Sequence, residues 1–154
     1  MPILLHAADL HLDSPFSGLP PEKAAQRRQE QRALLSRLVE LVHQYGVELV
    51  LLSGDLLDGA HLYTDTIDAL CRAFSQMAVP VFIAPGNHDL APVYDTLPLP
   101  DNVTVFRTET IASVSLPDLN CTVHGRGLCT AAPVPFSDLA FQAPADGQTH
   151  LLCL

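Results

Sequence analysis

Three short stretches of this sequence crowd metal-ligating and proton-carrying side chains into a few residues. Asp9 and His11 stand two apart in HAADLHLDS, Gly54-Asp55 closes LLSGD, and Asn87, His88 and Asp89 are consecutive in PGNHD. Carboxylate, amide oxygen and neutral imidazole suit hard or borderline divalent cations such as Mn, Fe or Zn, and no thiolate stands among them to select a softer ion. On an extended segment, side chains two apart point the same way, so one ion can take both Asp9 and His11. Asp55 has two oxygens and can bridge a pair of ions roughly 3.5–4 Å apart, the usual separation in two-metal hydrolases. Asn87 offers a neutral oxygen. His88 is placed to act as a general acid toward a leaving oxygen, with Asp89 beside it to orient the imidazole. Gly54 and Gly86 let the backbone turn sharply and approach the ions. Taken singly, each motif has an ordinary reading too: DxH and GD pairs arise by chance, and GNHD can be a turn held by local hydrogen bonds.

What gives the three stretches weight is where they fall. Residues 3–8, 47–52 and 81–84 are apolar runs of strand length, and each leads directly into one of the motifs. Between them, residues 22–45 carry Leu34, Leu35, Leu38, Val42 and Tyr45 on one helical face, with Gly46 placed to end the helix. Residues 64–77 repeat the pattern with Ile67, Leu70, Cys71 and Phe74. The order strand–helix–strand–helix–strand predicts an α/β fold with a parallel sheet buried on both faces. In such sheets ligands gather beyond the carboxyl ends of the strands, so the three motifs are expected on one edge. Beyond Leu90, prolines punctuate short β-type segments at 103–106, 110–116 and 120–124, expected as antiparallel or mixed strands. Residues 130–147 read as loop, and 150–154 as the start of another buried strand.

Composition sets the outer bounds. The 154 residues are 48% hydrophobic and 16% charged, enough to bury a core in one domain. No run reaches the roughly 18–20 apolar residues of a membrane span, and residues 1–11 lack the basic flank of a signal peptide, so no membrane role is expected. Cys71, Cys121, Cys129 and Cys153 show no CxxC spacing and are read as free thiols, which makes the cytoplasm the expected location. The formal charge of −9 argues against a module that coats nucleic acid by electrostatics alone. It does not exclude a phosphoesterase whose cations invert the local field.

DLHLDSPFSGL, LLSGDLLDG and PGNHD together resemble the calcineurin-like metallophosphoesterases, and HAADLHLDSPF is similar more narrowly to the SbcD-type DNA repair exonucleases. VHGRGL at 123–128 is similar to a downstream segment of that subgroup. The resemblance implies a four-layered α/β sandwich, incomplete at the C-terminus, of which residues 1–154 would be the N-terminal part. It implies two divalent ions, usually Mn2+, and hydrolysis of phosphodiester bonds in DNA. Carried over by position, Asp9, His11 and Asp55 would hold the first ion, Asp55 and Asn87 would share the second, and His88 would be the catalytic acid or a phosphate contact. Further ligands, a histidine and a Gly-His-x-His segment, are not visible and are expected beyond Leu154. Candidate partners are DNA, an SMC-like ATPase subunit implied by the resemblance alone, and a second copy of the chain in a homodimer. Two other readings share these residues: a phosphoesterase acting on small phosphoesters or cyclic nucleotides, and a catalytically incomplete fragment or interaction module.

The remaining polar residues are read more plainly. Lys23, Arg27, Arg28, Arg32 and Arg37 make a basic stripe on the first helix, expected as a solvated face balanced by Glu22, Glu30 and Glu40, with phosphate contact as the sharper alternative. His43 is expected on the exposed side of that helix. His6 and His124 are expected to be packed and His150 to lie at the surface, while His61, shortly past GDLLD, is within reach of the motif edge but is read first as having no functional role.

Overall fold

The computed structural model describes residues 1–59, 61–130, 132 and 141–154. The elements run β1 (Leu4–Ala8), α1 (Pro21–Tyr45), β2 (Leu49–Ser53), α2 (Thr64–Met77), β3 (Val81–Ala84), β4 (Val103–Val105), β5 (Ala112–Leu116), β6 (Cys121–Gly125) and β7 (Thr149–Cys153), with 3-10 turns at Ala91–Thr96 and Pro117–Leu119. Pro21 opens α1 at a position where its missing N–H leaves no helical bond unmade. Gly46, at φ 60°, closes the helix with its N–H donating to the Val42 carbonyl.

β1 to β4 form a parallel sheet in chain order, and β5, β6 and β7 form a second sheet in which β5 is antiparallel and β7 parallel to β6. Consecutive right-handed crossovers in one direction put both connecting helices on one face of the parallel sheet. There Leu35 and Val42 of α1 and Leu70, Phe74 and Met77 of α2 pack on Val50, Leu52, Val81 and Ile83. The other face receives the second sheet: Leu49, Leu51, Phe82 and Ala84 meet Cys121, Val123 and Cys153. Alternate residues of β2 and β3 thus feed two separate cores, which explains their unbroken apolar runs. The described residues build three layers of the expected sandwich: helices, parallel sheet and mixed sheet.

Three sequence expectations are corrected. Leu34 and Tyr45 are 46% and 61% exposed, because the core-facing stripe of α1 runs through Leu35, Leu38, Val39 and Val42 instead. β1 is an edge strand: Leu5 and Ala7 reach the helix-side core, but Leu4, His6 and Ala8 are exposed, because the second sheet packs over β2 and β3. β4 extends the parallel sheet beside β3 and is not part of an antiparallel set. Of the loop expected at 130–147, residues 131 and 133–140 lie outside the described residues, and 141–148 carry neither helix nor strand. Among the described residues no helix is long and apolar enough to cross a membrane.

Candidate metal centre

Strand register brings the three motifs to one edge. Ala8 pairs with Ser53 and Ser53 with Ala84, so Asp9, Gly54-Asp55 and Pro85-Gly86-Asn87 leave the sheet side by side. The departing segments stay stitched together. The amides of Asp9, His11 and Leu12 donate to the carbonyls of Gly54, Asp55 and Leu56 at 3.2, 2.9 and 3.0 Å, and the Gly54 amide donates to the Ala84 carbonyl at 2.8 Å. Gln31 of α1 donates to the His11 carbonyl at 2.9 Å.

The backbone here is not extended. Asp9, His11 and Asp55 lie in the left-handed region at φ 54°, 45° and 47°. Such conformations cost non-glycine residues on the order of 1–2 kcal/mol each and cluster at functional sites. The alternation argument for Asp9 and His11 therefore fails, yet the pair still converges: His11 Nε2 is 4.0 Å from Asp9 Oδ1 and 3.9 Å from Asp55 Oδ2. It is the left-handed turns that aim the two side chains at one point. Gly86 is needed for proximity, since a β-carbon there would lie 2.2 Å from Asp55 Oδ1.

Ligand atoms of His11, Asp55 and His88 lie within 4.8 Å of one another, and the two imidazoles meet edge to face at 4.9 Å. The His88 amide donates to Asp55 Oδ1 at 3.0 Å. Asn87 is exposed and shares with Asp55 the wall of a cavity of about 190 Å³. His11, Asp55 and His88 are thus gathered, with Asp9 beside His11 and Asn87 on the adjoining wall. Two imidazoles and one carboxylate at this spacing, with the Asp9 carboxylate 4.0 Å from His11, form a donor set that fits a divalent cation of the borderline class. His88, read from the sequence as a catalytic acid or phosphate contact and not as a ligand, falls within the same ligand-like group.

The partner of His88 is corrected. Its Nδ1 lies 2.7 Å from Asp58 Oδ1, whereas Asp89 turns inward. The buried Asp89 carboxylate accepts from the Gly86 amide at 2.7 Å, the Leu57 amide at 3.1 Å and the Tyr94 hydroxyl. It ties the PGNHD loop to the segment after β2. Burial raises the Asp89 carboxyl above its ordinary range against these hydrogen bonds, and burial, then the Asp89 charge, pushes Tyr94 well up. The hydrogen bond to Asp58, helped by the charges of Asp55, Asp58 and Asp89, raises His88 and favours its protonated form. Burial acts to raise Asp58, but hydrogen bonds from Ser14 and His88 outweigh it and hold the carboxyl below the usual range. The sequence did carry a signal for Asp58: a second carboxylate three residues after Asp55, in the same turn.

Asp13, the second acid of DLHLD, is structural. Its fully buried carboxylate accepts from the Tyr63 amide at 2.8 Å and Thr66 Oγ1 at 2.6 Å, with Arg32 3.5 Å away. The basic stripe is largely engaged: Arg27 pairs with Glu30 and Arg37 with Glu40, both at 2.6 Å, and Arg28 lies 5.0 Å over the Tyr63 ring. His61 lines an open groove with Asp58 and Asp13. His43, exposed, lies 3.0 Å from the Gln76 carbonyl. His150 is not a surface residue. Its side chain is 9% exposed and sits between His124 and Asp146, at 2.9 Å from each. All four cysteines are free, with Cys121 and Cys153 buried.

A model of the calcineurin-like phosphoesterase family matches residues 3–150, and the chain belongs to that family. It is similar to the uncharacterized metallophosphoesterase YhaO of Bacillus subtilis (strain 168), 33% identical over 109 residues that cover 66% of this chain and 27% of the relative. It is also similar to the DNA double-strand break repair protein Mre11 of Aeropyrum pernix, 35% identical over 98 residues, 62% of this chain and 23% of the relative. The chain spans about a quarter of the length of these relatives.

Proposed function

We propose that residues 1–154, as the N-terminal part of a metallophosphoesterase domain, serve a DNA repair exonuclease that hydrolyses phosphodiester bonds with two divalent ions, Mn2+ the first candidate. The observation that carries this reading is the convergence of His11, Asp55 and His88 within 4.8 Å, at the edge where Asp9 and Asn87 also emerge. Family membership supports the phosphoesterase chemistry, and the likeness to a double-strand break repair protein supports DNA as the substrate.

Asp9, His11 and Asp55 would hold one ion, and Asp55 with Asn87 the second. Bound divalent ions neutralise phosphoryl oxygens and lower the pKa of water, so that hydrolysis proceeds near neutral pH. The protein's share is to set the donors in advance. The stitched loops fix Asp9 and Asp55 before any ligand arrives, which spares reorganisation during reaction. His88, its Nδ1 engaged by Asp58, keeps Nε2 to hand a proton to the departing sugar oxygen. An SMC-like ATPase subunit and a second copy of the chain are the proposed partners, and the cytoplasm the proposed location.

The test is nucleotide release from linear duplex DNA, with bis-nitrophenyl phosphate in parallel, as MnCl2 is titrated. Metal-dependent release from DNA is expected, and Asp55→Asn should abolish it while circular dichroism stays unchanged. Full activity in that variant would overturn the role given to Asp55. Cleavage of the nitrophenyl ester alone would point to small phosphoesters, and failure to bind metal would leave an interaction module.

A further inference from the structure

The segment VHGRGL has no part in the site described so far, yet the fold holds it hard against that site. Gly125 and Gly127 flank Arg126, and neither tolerates a side chain. A β-carbon at Gly125 would lie 2.2 Å from the Phe106 ring, and one at Gly127 would lie 2.0 Å from the Phe106 carbonyl oxygen and 2.8 Å from the Pro85 ring. The Gly127 amide donates to the Thr108 carbonyl at 3.0 Å, and the Leu128 amide to the Pro85 carbonyl at 3.0 Å. The turn is therefore clamped to the loop that carries Asn87 and His88. Between the two glycines, half-buried Arg126 forms part of the wall of the cavity of about 190 Å³ that Asp55, Gly86 and Asn87 also line.

Arg126 differs from four of the other arginines in what it meets, and unlike Arg28 and Arg72, which also pair with no carboxylate among the described residues, it lines the cavity beside Asp55. Arg27, Arg32, Arg37 and Arg107 each pair with a carboxylate. Among the described residues no carboxylate pairs with Arg126, in a chain with 17 acidic and 8 basic residues. A half-buried guanidinium in the wall of a cavity that also holds Asp55, with no carboxylate partner among the described residues, is suited to an incoming anion. Its planar fork of donors matches the oxygens of a phosphoryl group. The cavity that Arg126 and Asp55 both line, about 190 Å³, spans roughly six water volumes, room for a phosphoryl group.

The geometry points to Arg126 as a substrate-binding residue that grips a phosphoryl oxygen beside Asp55 and Asn87. This inference deepens the phosphodiesterase reading and rests on it for the identity of the substrate. The test is equilibrium dialysis of inorganic phosphate against the full chain, with and without MnCl2, for the wild type, Arg126→Gln and Arg126→Lys. Metal content is measured in parallel, and KM and kcat are measured with bis-nitrophenyl phosphate. The wild type should bind phosphate, Arg126→Gln should bind it about tenfold to a hundredfold more weakly, and Arg126→Lys should fall between, since a lysine keeps the charge and loses the fork. KM should rise in Arg126→Gln with metal content unchanged. Equal phosphate affinity in the wild type and either variant, or no binding by the wild type, overturns the inference. Loss of hydrolysis in all three proteins with the affinity difference preserved would count against the phosphodiesterase reading and leave the anion site standing.

Discussion

Asp58 shows what a single carboxylate does at this site and why it was hard to foresee. The run GNHD suggested that the neighbour in sequence, Asp89, orients His88. In the fold, Asp89 faces the interior toward Tyr94 and two amides, and Asp58 reaches the imidazole from another strand end. Adjacency in sequence says little about contact once a turn intervenes. If Asp58 sets the ring and its Nδ1 proton, Asp58→Asn should lower kcat for phosphodiester hydrolysis by about a hundredfold, in the range of general acid–base contributions, with metal content unchanged. Initial rates paired with elemental analysis check this, and a wild-type rate would remove Asp58 from the positioning role. That Asp9, His11, Asp55 and Asn87 leave the sheet on one edge was legible because their residue types stand at strand ends. The left-handed backbone that joins Asp9 to His11 was not, since hydrophobic alternation carries no information about φ.

At the scale of elements, the sequence disclosed most where apolar residues were continuous. β3 and α2 have the bounds that their patterns predict, because β3 is buried on both faces and α2 ends at Ala78, in the left-handed region at φ 54°, with Pro80 just beyond. β1 misled, because an edge strand beneath one helix layer and a fully covered strand can share one composition. The mixed sheet concealed a polar chain on its outer side. Ser113 Oγ lies 2.8 Å from His124 Nδ1, His124 Nε2 2.9 Å from His150 Nδ1, and His150 Nε2 2.9 Å from Asp146 Oδ1, with Phe141 packed on the His124 ring. Burial, joined by the neighbouring His150, lowers His124 from its ordinary 6.5. The Gln148 amide and then His150 lower Asp146 from 3.8. A depressed folded-state value in either group means stability that is full above the unfolded value and lost as pH falls through the folded one. The melting temperature should therefore hold above pH 6.5, decline below it as His124 takes a proton in the unfolded chain and stays neutral in the folded one, and decline again below 3.8. Thermal scans from pH 8 to about 3 read both limbs, and His124→Gln should flatten the first. A first limb of unchanged slope in that variant would assign it to another group.

The whole molecule is held by two cores that share β2 and β3. Both load on the same short strands, so disturbance of either core is felt at the strand ends where Asp55 and Asn87 emerge. The family was legible because three motifs fall at three strand ends, whereas the second core was not, because it depends on which way the mixed sheet closes over the parallel one. That closure has a further consequence. Cys121 and Cys153 are inaccessible between the sheets, while Cys71 and Cys129 are half-buried. Alkylation of the native protein should consume two thiols quickly and two slowly, and the slow pair becomes a clock for how often the sheets part. If ligands at the motif edge brace the strands from outside, added Mn2+ should slow that clock and leave the fast pair untouched.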